Sequence, residues 1–157
     1  MKNQNGFSLI ELLIVVTIIL VISAIAIPSY LRARLQSNEA SAVSSLRTIN
    51  TAAVTYSTTY SDVGFPPTLG SMGGTSPCAP SAASACLLDD ALSQGTKNGY
   101  SFVWTSDGLT PSQSYTISAT PVQVGASGQR MFCTDLAGVI RYDATGSGCN
   151  ATSTPVQ

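Results

Sequence analysis

Gly6-Phe7-Ser8-Leu9-Ile10-Glu11-Leu12-Leu13-Ile14-Val15-Val16 decides how the rest of the chain is read. Before it lies a short polar leader, Met1 to Gly6, with one positive charge at Lys2. After it the apolar run continues to Ile27, and Ser8, Glu11, Thr17 and Ser23 are its polar members. At about 1.5 Å per residue, Phe7 to Ile27 makes a helix of roughly 30 Å, the thickness of a bilayer's hydrocarbon core. Burying such a helix on every side takes lipid or a bundle of like helices.

Glu11 is the discordant residue. A carboxylate inside an apolar helix costs about 2.5–3.5 kcal/mol on insertion scales, so it calls for a partner. The next basic side chain is Arg32, far out of reach. Cleavage between Gly6 and Phe7 would create a cation, because a new α-amino group is charged at neutral pH. That amine lies one helical turn from Glu11 of its own chain. It reaches the Glu11 of a neighbouring chain equally well.

These residues resemble the processing site of type IV prepilins and of the related pseudopilins of type II secretion. The pattern is Gly6, then Phe7, then Glu11 as fifth mature residue, then an apolar run closed by Pro28. The resemblance covers Met1 to about Tyr60; beyond it, the chain is similar to pilin head domains in general layout only. It implies cleavage after Gly6 by a membrane prepilin peptidase and N-methylation of Phe7. It also implies polymerisation into a helical filament, with Phe7, Glu11 and Pro28 as assembly residues. The implied partners are further copies of the chain, the prepilin peptidase, the assembly machinery of the inner membrane, and membrane lipid before assembly. The implied location is the bacterial inner membrane for the precursor, then an extracellular pilus or a periplasmic pseudopilus.

The expected function is therefore structural subunit of a type IV pilus. Its alternative is a pseudopilin of a type II secretion system. A second alternative is a membrane-anchored or secreted binding domain, since Ala24-Ile25-Ala26 offers an ordinary signal-peptide cleavage site. Against simple secretion stand Glu11 within the apolar stretch and the helical pattern beyond Pro28.

That pattern sets the fold. Leu31, Leu35, Ala42, Leu46, Ile49, Ala53, Tyr56 and Tyr60 recur at helical spacing, while Arg32, Arg34, Gln36, Asn38, Ser44, Arg47 and Asn50 fill the other faces. One helix is expected from about Phe7 to Tyr60. Pro28 removes a backbone N–H and crowds the carbonyl of Ala24, so a kink or local unwinding is expected there. The resemblance to pilins implies further that the segment from about Ser23 to Pro28 melts on assembly into a filament. Pro66, Pro67 and Gly64 close the helix. Thr68 to Ser84 reads as loop, and Leu87 to Leu92 as one or two helical turns stopped by Gly95. Strands are expected at Tyr100–Thr105, Tyr115–Thr120, Arg130–Thr134 and Val139–Tyr142, the last two joined by a turn at Asp135-Leu136-Ala137-Gly138. Asp143 to Gln157 reads as loop.

The fold class is α+β, a pilin fold: one long N-terminal helix packed on a small antiparallel sheet. The divisions are a leader at 1–6, an apolar transmembrane or filament-core helix at 7–28, and its amphipathic half at 29–60. A head at 61–157 comprises an αβ-loop at 61–98, a sheet at 99–142 and a disulfide-held tail at 143–157.

Charged residues make up 10% of the chain, against roughly 25% in ordinary soluble domains, which suits close packing against copies of itself. No basic patch supports nucleic-acid binding, although Arg32, Arg34 and Arg47 share the helix. The sequence has no histidine, which excludes a Ser-His-Asp triad and a Cys-His pair. No enzyme activity, metal or other cofactor is expected. Several pseudopilins bind calcium near the C-terminus, yet no dense run of oxygen ligands stands here. Asn150-Ala151-Thr152 is a bare glycosylation sequon. The four cysteines allow three pairings, of which Cys78–Cys86 and Cys133–Cys149 are favoured because each closes a short loop. Free buried thiols are the alternative.

Overall fold

A computed structural model describes residues 7–146 and 148–156. The chain divides into two units, 1–34 and 35–157. Helix α1 runs Leu9–Thr59 and carries Pro28 inside it. Its helical assignment is unbroken through Ala24 and Pro28. The local unwinding expected there is therefore absent from the isolated chain. Proline costs one hydrogen bond, and the turns on either side retain theirs.

In the second unit the stripe of α1 is buried as the spacing predicts. Ala42, Leu46, Ile49, Ala53 and Tyr56 are all but inaccessible, and Val43 and Ala52 widen the buried face. Leu31 departs from the expectation and is exposed. It belongs to the first unit, where α1 has no buried face.

The chain leaves α1 through Gly64, whose φ is +77° and whose position faces the Ser112 backbone. A Cβ there would stand 2.2 Å from the Ser112 carbonyl oxygen, so a side chain is excluded both by strain and by space. Leu69–Met72 forms a 3₁₀ turn within the stretch read as loop, capped by the Thr68 hydroxyl accepting from the Ser71 N–H. Helix α2 is a single turn, Asp90–Ser93. It ends at Gly95 with φ +79°.

Six antiparallel strands follow in chain order: β1 Thr96–Lys97, β2 Tyr100–Ser106, β3 Tyr115–Pro121, β4 Met131–Asp135, β5 Arg141–Asp143 and β6 Thr154–Pro155. The first and last correct the sequence reading. Strand β1 turns into β2 through Asn98-Gly99, both at positive φ, a two-residue hairpin turn for which Asn-Gly is the characteristic signal. Strand β6 pairs Pro155 with Arg141 and Thr154 with Tyr142, so part of the tail read as loop is an edge strand. A proline is tolerated there because the outer side of an edge strand needs no ladder bond.

The buried face of the sheet follows the period of two. Tyr100 and Phe102 on β2, Tyr115, Ile117 and Ala119 on β3, and Phe132 on β4 join the α1 stripe in one core. Phe102, Ala119, Phe132 and Tyr142 lie in register across four strands. Polar ends of the aromatics are satisfied: Trp104 Nε1 donates to the Pro66 carbonyl at 2.8 Å and Tyr100 Oη to the Arg130 carbonyl at 2.8 Å. Trp104 stacks on Tyr115, with ring centroids 4.5 Å apart. Disulfides join Cys78 to Cys86 and Cys133 to Cys149, and no free cysteine stands among the described residues.

Gly128 shows how tightly this end of the core is filled. A Cβ on it would stand 2.1 Å from Tyr100 Oη and 2.6 Å from its Cζ. Tyr100 is fully buried and has no room to move. Gly128→Ala should cost about 1–3 kcal/mol by overpacking, read as a lowered denaturation midpoint with an unchanged slope.

The head also contains a buried carboxylate. Glu39 lies on the α1 stripe, four residues after Leu35 and three before Ala42, and is 6% exposed. Its Oε1 accepts from the Gln129 and Arg130 backbone N–H groups at 2.9 and 3.1 Å. Its Oε2 accepts from Arg130 Nε at 2.8 Å and pairs with Arg130 Nη2 at 2.7 Å. The guanidinium also lies over the rings of Phe132 and Tyr142. Burial works to raise the Glu39 pKa; the bonds from Gln129 and Arg130 and the Arg130 charge outweigh it and hold the carboxyl below its ordinary value.

Candidate functional site

The candidate site is the start of α1. Its apolar residues are left uncovered by the described residues: Leu9, Ile10, Leu12, Leu13, Ile18, Ile19, Leu20, Val21, Ile22 and Ile25 are all at least half exposed. This part of α1 is long and apolar enough to cross a membrane, and none of it is buried. An apolar surface of this extent is not stable in water and marks a site of burial by something else.

Glu11 occupies the third position of the helix. Ser8 precedes the first helical residue, and its carbonyl accepts from the N–H groups of Glu11 and Leu12 at 3.1 and 3.2 Å. It is therefore the N-cap. Glu11 Oε2 in turn accepts from the Ser8 N–H at 3.0 Å. This is the carboxylate half of a capping box, and an acid in the first turn also complements the helix dipole. The sequence reading missed this role. Its signal was present in Ser8-x-x-Glu11 directly before an apolar run. Glu11 Oε1 has no hydrogen-bond partner among the described residues. Thr17 spends its hydroxyl inside the helix, on the carbonyls of Leu13 and Ile14.

The cap brings the Glu11 carboxylate to the nitrogen of Ser8, the residue after Phe7. Phe7 itself is 82% exposed. Gly6 lies outside the described residues, as does the leader. Pro28 sits within the helix and is exposed. The four cysteines lie in the other unit and have no part in this site.

The remaining acids do not gather into a second site. Asp89 pairs with Lys97 Nζ at 2.9 Å. Asp107 accepts from the N–H groups of Leu109, Gln113 and Ser114 and from the hydroxyls of Ser112 and Ser114. The bonds from Gln113 and Ser112 lead in holding its pKa down at about 2. Asp135 caps the β4–β5 turn through the Ala137 N–H. Among the described residues no group of three or more potential ligands is placed to hold a metal ion.

Comparison with known proteins bears on the same segment. The family model of the prokaryotic N-terminal methylation motif matches residues 1–27. The N-terminus is thus similar to those of type IV pilins. The chain is 51% identical over 39 residues to the type IV wide pilus major component PilA4 of Thermus thermophilus, covering 25% of this chain and 30% of that protein. It is 49% identical over 53 residues to a fimbrial protein of Pseudomonas aeruginosa, covering 34% of each chain. The aligned stretches thus span about a third of the length of these relatives. No solved structure matches. The long helix and antiparallel sheet form an α+β, pilin-like architecture.

Proposed function

We propose that this chain is a structural subunit of a type IV pilus, cleaved after Gly6, N-methylated at Phe7 and polymerised into a helical surface filament. The observation that carries the reading is the apolar first half of α1, exposed on every side with a single carboxylate at its start. Lipid covers that surface in the precursor, and the helices of other copies cover it in the filament. Exchange of lipid for protein gains little hydrophobic energy, because both are apolar. The gain comes from packing and from pairing Glu11 with a cationic terminus in a low dielectric. A head-to-tail contact with rotation and rise does not close, so it propagates as a helix.

The divisions that go with this reading are a leader at 1–6, a membrane or filament-core helix at 7–28, an amphipathic half at 29–60 and a head at 61–157. The partners are copies of itself, a prepilin peptidase and an inner-membrane assembly machinery, and the role is structural rather than catalytic. On assembly, the turn between Ser23 and Pro28, helical in the isolated chain, opens.

Cleavage tests the first step. Gly6→Leu should block it and leave precursor in the membrane without filaments, while the unaltered protein yields a chain whose first residue is methylated Phe7. Mature protein of unchanged mass from the Gly6→Leu variant would overturn the assignment, and a first residue of Ile27 would indicate ordinary secretion instead.

A further inference from the structure

We propose that Tyr30, Arg32 and Arg34 form a collar around α1 that binds the anionic headgroups of phospholipids. The inference rests on the membrane-held precursor described above and extends it to the kind of lipid.

Three observations converge on these residues. Tyr30, Arg32 and Arg34 are all exposed, on a helix whose neighbouring residues are exposed as well. Neither arginine has an ion-pair or hydrogen-bond partner among the described residues. The ion pairs found there are Lys97–Asp89 and Arg130–Glu39. Depth is the second observation. At about 1.5 Å per residue, Arg32 and Arg34 stand roughly 7–11 Å beyond Ile27, where the apolar run ends. A bilayer of about 40–45 Å with a core of about 30 Å carries a headgroup layer about 5–7.5 Å deep on each side, so the two backbone positions stand at or just beyond its outer edge and the arginine stems reach back to it. Tyrosine is the residue type enriched at the same level.

The third observation selects lipid over a protein partner. At about 100° per residue, Arg32 and Arg34 point about 160° apart around the helix and differ by only about 3 Å in height. A second copy or any other flat protein surface meets one of them and leaves the other in solvent. A headgroup layer surrounds the helix and meets both at one depth. Guanidinium also suits phosphate, offering paired donors in a plane.

The test uses the full-length chain in vesicles of phosphatidylcholine alone and of phosphatidylcholine with about 30% phosphatidylglycerol, where each basic residue near an anionic surface is worth about fivefold in lipid preference. Flotation reads insertion. Native mass spectrometry after gentle extraction reads the lipids retained. The unaltered chain should float with both vesicles and retain phosphatidylglycerol in preference. Arg32→Gln and Arg34→Gln should each lower that preference about fivefold, and together about twenty-five-fold, with flotation unchanged. Inorganic phosphate should not displace the lipid.

Equal retention of the two lipids, or an unchanged preference in the double variant, would overturn the collar and leave the membrane-held precursor standing. Displacement by inorganic phosphate would overturn it in favour of a free-anion site. Loss of cross-linked dimers in the double variant with lipid retention unchanged would overturn it in favour of a second copy. Failure of the unaltered chain to float would overturn both the collar and the membrane reading.

Discussion

Glu11→Gln should abolish surface filaments while leaving helix formation, membrane insertion and subunit level intact. The capping geometry makes this the informative substitution. Glu11 carries two separable properties: an acceptor for the Ser8 N–H at 3.0 Å, and a negative charge. Glutamine keeps the acceptor and removes the charge. Valine removes both. If the carboxylate matters only as a helix cap, the glutamine variant should assemble normally and the valine variant should lose about 0.5–2 kcal/mol of helix stability. If it matters as the mate of a cationic terminus on an adjoining copy, both variants fail. Breaking a buried pair by removing one partner costs about 3–5 kcal/mol, roughly a hundredfold or more in the affinity of each joint. A filament multiplies that loss at every subunit. Filament yield by electron microscopy, normalised to membrane subunit, reads the difference. Normal fibres from Glu11→Gln would remove the charge from the mechanism.

Glu39→Ala should lower the melting temperature of the head by about 10 °C, corresponding to about 3 kcal/mol in a unit of this size. Glu39 is 6% exposed and satisfies two backbone N–H groups besides its arginine. Alanine leaves those donors without the carboxylate that satisfies them. The loss falls short of the largest buried-pair values because the Arg130 side chain is 41% exposed and turns to water. The carboxyl also titrates with stability. Its folded pKa lies below the unfolded one, so it binds fewer protons when folded. Its contribution is complete above the unfolded value of about 4.3 and is lost as pH falls through the depressed folded value. Melting curves between about pH 6 and pH 3 should therefore fall less steeply for Glu39→Gln than for the unaltered chain. Parallel pH profiles would show that Glu39 is not coupled to folding.

The helix and the main strands were legible because their signals are periodic. The stripe from Ala42 to Tyr56 repeats at three and four residues, and Tyr100, Phe102 and Trp104 alternate at two. Shorter elements were harder. Strand β1 is two residues long and has no period to detect; the turn Asn98-Gly99 announces it instead. Strand β6 contains Pro155, which argues for loop in any local reading, and exists because the edge of β5 was open to it. Glu39 hid on the stripe itself, where its position at helical spacing was the clue to burial. Its partner Arg130 is 91 residues away, a distance no local pattern spans. At the candidate site, the discord of Glu11 was plain, while its bond to Ser8 was encoded in a four-residue motif that the larger apolar pattern obscured.

A density map of the purified filament tests the central claim most directly. The account predicts a chain beginning at Phe7, with its amino nitrogen within about 4 Å of the Glu11 carboxylate of an adjoining copy at every joint, the separation at which an ion pair forms. A filament in which Glu11 faces no amine, or in which the subunit retains Met1 to Gly6, would contradict it.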